Sequence, residues 1–241
     1  HGITKRMQNE DLSIFDYVFC WLGNTNLILS IIKLIEDKMN LEHDIQEAGV
    51  QMILLVEDSI RFYSSILPNL YNYILEQSKN FSKEALNRHA ATMRMRGRPK
   101  VVLARTYEEA KKLYDKYSDN TLGVISDARF PLKSAAKAFG NAVDEDVQPK
   151  HATDTFGREK CPDAGLQLFR YIRKNDSFVP LILESSESGN RAKAEAEGFR
   201  FVDKNSKKMS VDLRRLMEEH MGFGDFIFRD PNTHEEIMRI R

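Results

Sequence analysis

The chain has 241 residues, 41% apolar and 30% charged, with Lys plus Arg and Asp plus Glu balanced at 36 each. That length can bury a sizeable core in one or two domains, and the even charge gives no global pull toward nucleic acid or an anionic membrane, so any such binding must be local. The two cysteines, Cys20 and Cys161, lie far apart in unlike contexts, which argues against a disulfide framework and makes a reducing compartment, the cytoplasm, the expected location.

The chain opens on His1-Gly2 without a methionine and stops at Ile240-Arg241 while apolar and polar residues still alternate, so a longer polypeptide is expected. The aromatic and β-branched run Ile14 to Cys20 predicts a strand, and Asn24 and Thr25 offer capping oxygens to a helix reaching about Met39. Leu27, Ile28, Ile31, Ile32 and Ile35 fit one face of that helix, with Lys33, Glu36 and Asp37 mostly outside. It is too short and interrupted to span a bilayer, and no secretory signal precedes it. This strand and helix have no partner strands of their own, so they must pack on the main domain or on missing chain.

Met52 to Val56 is a short continuous apolar run, the pattern of a strand buried on both faces. Ser59 can cap a helix to about Leu75, interrupted by Pro68, and a second helix opened by Ser82 and Ala85-Leu86 must end before Gly97-Arg98-Pro99. Strand Lys100 to Ala104 follows, then a helix from the Thr106-x-x-Glu109 capping box to about Tyr117. Strand Thr121 to Ser126 leads to Asp127. The stretch Ala128 to Pro162, poor in apolar positions, is unusually long for a βα connection. Helix Ala164 to Lys174, capped by Asp163, strand Val179 to Leu183, helix Glu187 to Glu197 stopped by Gly198, strand Phe199 to Val202 and helix Ser210 to His220 complete the alternation. The expectation is α/β: a doubly wound, five-stranded parallel sheet of flavodoxin-like order 2-1-3-4-5. Phe226 to Ile240, around Pro231-Asn232-Thr233, reads as a hairpin extension.

Reactive groups collect at the strand ends: Glu57 and Asp58 after the first, Asp127 after the third, Ser185 and Ser186 after the fourth, Lys204 after the fifth. In a 2-1-3-4-5 sheet the crevice opens between strands one and three. Converging carboxylates there repel, so either one is protonated or a divalent cation sits among them. An acid pair at a strand end is by itself more often a solvated turn, but Asp127, Ser185 and Lys204 in register reverse that reading.

In this order and spacing the residues resemble a response-regulator receiver domain of two-component signalling, over roughly Val50 to His220. The resemblance rests on Val56-Glu57-Asp58-Ser59, Ser126-Asp127, Pro180-Leu-Ile-Leu-Glu-Ser185 and Phe201-Val-Asp-Lys204, with Pro131 four residues after Asp127. It implies phosphoryl transfer to Asp127, with Mg²⁺ held by Asp58, Asp127 and the Arg129 backbone carbonyl while Glu57 orients a water. Lys204 would face the phosphoryl oxygens, Ser185 would hydrogen-bond the installed phosphate, and Phe201 would turn into the space behind as a switch. It further implies a histidine kinase or phosphotransfer protein as partner, a small phosphodonor as substitute, no nucleic-acid or membrane partner, and leaves a homodimer open. The sequence departs from the family in having Asn205 rather than proline after the lysine, a Glu-Asp rather than Asp-Asp pair, and two long connections. The alternative function is a pseudo-receiver that is not phosphorylated and serves to dock or dimerise.

Residues 1–49 resemble the end of a preceding, degenerate receiver, 50–220 form the receiver, and 221–241 a C-terminal extension. The tail Gly222-Phe-Gly-Asp-Phe-Ile-Phe-Arg-Asp-Pro resembles the junction leading into a phosphoenolpyruvate synthase or pyruvate phosphate dikinase-like region, which the receiver would then regulate. Three other signals are set aside. Arg96-Gly97-Arg98-Pro99 looks like a minor-groove hook but abuts a buried strand. His151, Asp154, Glu159 and Cys161 match no zinc spacing. A haloacid dehalogenase-type hydrolase needs an acid where Arg129 stands.

Overall fold

The computed structural model describes residues 16–83, 85–89, 92, 97–133, 153–154, 156–222, 226–230, 233 and 236–240. In chain order its elements are α1 (Asn26–Ala48), β1 (Met52–Val56), α2 (Ile60–Lys83), β2 (Lys100–Ala104), α3 (Tyr107–Tyr117), β3 (Thr121–Asp127), β4 (Phe130–Pro131), β5 (Lys160–Cys161), α4 (Ala164–Asn175), β6 (Leu181–Ser185), α5 (Gly189–Ala196), β7 (Arg200–Asp203), α6 (Met209–His220), β8 (Phe226–Arg229) and β9 (Glu236–Ile240). Five parallel strands form one sheet in the order β2-β1-β3-β6-β7. Among these five strands that is 2-1-3-4-5, the flavodoxin-like doubly wound arrangement expected. β8 and β9 pair antiparallel as the predicted hairpin. Among the described residues no helix is long and apolar enough to cross a membrane.

Alternation along each strand divides the core. Met52, Leu54, Val56, Val124, Leu181 and Leu183 face α3, α4 and α5, whereas Ile53, Leu55, Val101, Leu103, Ile125 and Ile182 face α1, α2 and α6. Each fully buried Leu or Ile contributes about 1.5–3 kcal/mol. The reciprocal cap at Thr106 forms as predicted, with Glu109 N donating to Thr106 Oγ1 at 3.2 Å and the Glu109 carboxylate accepting from Arg105 N at 2.8 Å. Gly198 stops the chain after α5 with φ +76, a conformation open to glycine. β6 lies two residues later than expected, since Pro180 cannot donate to a ladder; its carbonyl accepts from Val124 N. Asp163 makes no side-chain cap for α4 and instead pairs with Lys193 at 2.9 Å.

The N-terminal segment departs most from expectation. Residues 16–20 are not a strand: helix hydroxyls take their backbone groups, Ser64 Oγ accepting from Cys20 N at 2.9 Å and Tyr63 OH donating to Val18 O. Ile14 and Phe15 lie outside the described residues. α1 runs to Ala48, and the face it buries is Leu27, Ser30, Leu34, Asp37 and Leu41, while Ile28, Ile32, Ile35 and Met39 are exposed. Asp37, expected outside, is fully buried because four donors meet it. Arg98 Nη2 lies 2.6 Å from Oδ1, and Oδ2 accepts from Arg98 Nη1 at 3.1 Å, Tyr71 OH at 2.9 Å and Val101 N at 2.9 Å. Leu34 enters one core and Leu41 the other, so α1 passes across the β2 side of the sheet. Arg98 is therefore a core ion-pair partner, unlike the arginine of a free hook.

α2 runs unbroken through Pro68 to Lys83 and includes Ser82, expected to open the next helix. Of that second predicted helix, Arg88, His89 and Thr92 are helical, while 84, 90, 91 and 93–96 lie outside the described residues. So does the middle of the 128–162 connection, His151 included, but both of its limbs are described. β4 and β5 pair antiparallel, Phe130 with Cys161 and Pro131 with Lys160. Just before β5, Thr153 bridges Glu159, and Asp154 accepts from Phe156 N, Arg158 N and Arg158 Nε.

Candidate functional site

The acids stand where the sheet ends. Glu57 extends β1 by one ladder bond, its N donating to Ala104 O at 3.0 Å, and its Oε1 accepts from Ser59 N at 3.0 Å, which turns the chain into α2. Asp127 ends β3, and Ala128 N donates to Asp127 Oδ1 at 2.8 Å. α4 comes close behind: Gly165 N donates to Ala128 O at 3.1 Å, and a Cβ on Gly165 would stand 2.3 Å from Asp127 O. Only a residue without a Cβ allows that approach.

Glu57, Asp58 and Asp127 present oxygens all within 4.8 Å of one another. Lys204 Nζ, at the end of β7, pairs with Glu57 Oε2 and lies 2.9 Å from Asp127 Oδ1, over the Phe62 ring at 4.6 Å from its centroid. Burial pushes the Glu57 carboxyl well above the usual carboxylate range, against the opposing pull of Lys204. Burial also raises Asp58, against the pull of Lys160. Burial alone would lower Lys204, but Glu57, then Asp127 and Glu184, hold it above the ordinary lysine value.

Neither oxygen of Asp58 has a hydrogen bond. Its side chain is fully buried, Oδ2 lies 2.6 Å from Lys160 Nζ as an ion pair without hydrogen-bond geometry, and Oδ1 has no partner at all. A buried carboxylate oxygen without a donor is costly. A hard divalent cation taking oxygen ligands would satisfy it, so the residues present fit Mg²⁺.

The other predicted positions are less closely joined. Ser185 Oγ is already engaged, accepting from Glu187 N at 3.1 Å and Asn190 Nδ2 at 2.9 Å. Phe201 is half-buried against the α3–α5 side of the core, with the Arg191 guanidinium 4.7 Å from its ring centroid. The Arg129 side chain pairs with Glu187 at 2.6 Å. No described peptide bond is cis, that between Lys204 and Asn205 included.

Three contributors escaped sequence reasoning. Glu184, paired in register with Asp127, is fully buried with neither oxygen hydrogen-bonded, and burial pushes it up to about 7. An acid closing the run Leu181-Ile182-Leu183 is the same signal that marked Glu57 and could have found it. Gly165 gave no signal beyond being a glycine near a helix start. Lys160, inside an aperiodic loop, gave none.

No protein-family model matches the chain, and no curated protein matches it. Solved structures do. A response-regulator receiver domain protein from Clostridium thermocellum is 16% identical with TM-score 0.41, covering 72% of this chain and 95% of that one. The non-phosphorylated HemR receiver domain from Leptospira biflexa is 20% identical with TM-score 0.36, covering 69% and 94%. A two-component transcriptional regulator AraC from Clostridium phytofermentans is 14% identical with TM-score 0.35, covering 72% and 93%. At these TM-scores the likenesses decide neither family nor activity.

Proposed function

We propose that this chain is a phosphoacceptor receiver in which Asp127 takes a phosphoryl group from a histidine kinase, a phosphotransfer protein or a small phosphodonor. The observation that carries the reading is the convergence of Glu57, Asp58 and Asp127 with the buried Lys204 at the carboxyl ends of β1, β3 and β7. Asp127 Oδ1 is held by Ala128 N and Lys204, which leaves Oδ2 as the nucleophile. Its lone pair forms the new O–P bond as the donor's bond to phosphorus breaks, giving an acyl phosphate and releasing the donor group. Such transfer needs alignment and charge stabilisation more than covalent help. Lys204 meets the charge on the transferred oxygens. Asp58, Asp127 and the backbone carbonyl of Arg129 would hold Mg²⁺, with Glu57 orienting a water beside it, and the ion would supply further neutralisation of that charge when bound.

Ser185 Oγ accepts from Glu187 N and Asn190 Nδ2 and keeps its own O–H to donate to the product; a shift toward the product would strain those two bonds at the start of α5, beside the contact between Arg191 and Phe201. That is the two-state element of this reading. A docking or dimerisation module that is never phosphorylated, acting on an attached phosphoenolpyruvate synthase-like enzyme, is the second reading. It is favoured by the exposed stripe Ile28, Ile32, Ile35 and Met39 on α1.

Incubation with acetyl phosphate and Mg²⁺ followed by intact mass separates the two. The receiver reading expects a gain of one phosphoryl group that is absent in Asp127→Asn. No gain with any donor would leave the docking module.

A further inference from the structure

Lys160, near the far end of the long connection, is placed within the acid pocket by a described contact. Its ammonium lies 2.6 Å from Asp58 Oδ2, and only 16% of its side chain is exposed, so water screens the pair little. It reaches there because β5 pairs with β4, which begins three residues after Asp127 and carries the fully buried Phe130. The turn feeding β5 is closed on itself by Asp154 and Arg158, both buried. Arg105, just past the end of β2, lies 5.1 Å from the Phe156 ring centroid and fastens the turn to the sheet. The described limb that carries β5 is thus a short strap held beside the pocket, and it delivers one cation to one acid.

The charges set what this contact does. Two lysines face the three clustered carboxylates: Lys204 serves Glu57 and Asp127, and Lys160 serves Asp58. A divalent ion on Asp58 would stand beside the Lys160 ammonium, and the repulsion between them falls on the lysine that is held less firmly. Lys204 is the more buried, its side chain 2% exposed and shared between two acids, whereas Lys160 rides on a two-residue ladder and has one acid. Lys160 is the one that leaves.

We propose that Lys160 is a tethered counter-ion that competes with a divalent cation for Asp58, so that the strap carrying it sets the pocket's affinity for Mg²⁺. This rests on the reading of the pocket as a Mg²⁺ site and assigns its regulation. With Lys160 seated, Asp58 is paired from within the chain, and a metal on Asp58 must displace that ammonium or bind against its charge. Binding that excludes a competitor is weakened by the competitor's hold.

Isothermal titration of the full chain with MgCl₂, alongside Lys160→Met and Lys160→Arg, tests this. Lys160→Met should bind Mg²⁺ about tenfold tighter or more, a change of about 1.4 kcal/mol or greater, while Lys160→Arg should stay near wild type. Mass-mapped acetylation with an amine-reactive ester gives a second readout on the unmutated protein: Lys160 should be protected without Mg²⁺ and become reactive with it. Equal affinity in wild type and Lys160→Met, with Lys160 equally reactive in both conditions, overturns the proposal and leaves the metal reading standing. Absence of binding in all three proteins overturns both.

Discussion

Removing the carboxylate of Asp37 should test whether α1 is part of the fold or an appendage. Asp37→Ala leaves the Arg98 guanidinium, 5% exposed, without its bidentate partner and takes the acceptor from Tyr71 OH and Val101 N. Breaking a buried pair by deleting one partner costs about 3–5 kcal/mol, and orphaned hydrogen bonds add to it. Lys100 keeps Asp44 at 2.6 Å, so its charge does not add to the loss. We therefore expect a loss of about 4 kcal/mol, a large part of the ~5–15 kcal/mol that holds a domain folded. At a urea slope of roughly 2 kcal/mol/M the midpoint should fall by about 2 M, followed by circular dichroism. Asp37→Leu combined with Arg98→Met should recover the share due to the unpaired guanidinium, because exchanging a buried ion pair for apolar groups is near neutral, while Tyr71 OH and Val101 N stay without their acceptor. A loss under about 1 kcal/mol in Asp37→Ala, or no recovery in the double variant, would refute the reasoning.

Three further outcomes follow from the structure. Glu184 ionises near pH 7 when folded against an ordinary value of 4.5, so the folded state holds a proton that the unfolded state gives up between those pH values. Stability is full below about pH 4.5 and falls as pH rises through 7, by on the order of 3 kcal/mol; Glu184→Gln should remove that slope, so its advantage in Tm over wild type should widen from pH 5 to pH 8, and parallel profiles would count against it. Gly165→Ala drives a methyl against Asp127 O and should cost about 1–3 kcal/mol and slow phosphoryl uptake. Gly189→Ala, where nothing lies within 4 Å, should be neutral or stabilising by up to ~1 kcal/mol in the same melts.

What the sequence made legible, and what it hid, has a physical pattern. β1 and β2 could be read residue for residue because both faces are buried and the apolar run starts and stops with the strand. The strand-end positions of Glu57, Asp58, Asp127 and Lys204 were legible because each stands within two residues of the last apolar position of its strand. α1 was read with the wrong face inward: its buried side holds Ser30 and Asp37 while isoleucines face out. Periodicity counts apolar residues and cannot see a guanidinium 61 positions away that makes Asp37 a core residue. The strand predicted over Ile14 to Cys20 failed for a related reason, since residues 16–20 found helix hydroxyls rather than a neighbouring strand. Lys160 and Asp58 are 102 positions apart and joined only through the β4–β5 ladder, a two-residue pairing too short to leave a pattern.

The Asp37 carboxylate also decides how the sheet ends. β2 is an edge strand, and edges offer unpaired N–H groups to any extended chain that approaches. On its inner side Lys100 N donates to Gln51 O, whereas the next amide, Val101 N, is taken by a side chain rather than by backbone. A second polypeptide could add a strand at Val101 only by expelling a buried carboxylate along with the guanidinium that neutralises it. A single aspartate on a helix thereby blocks strand addition, and the edge-to-edge aggregation that follows from it, at Val101.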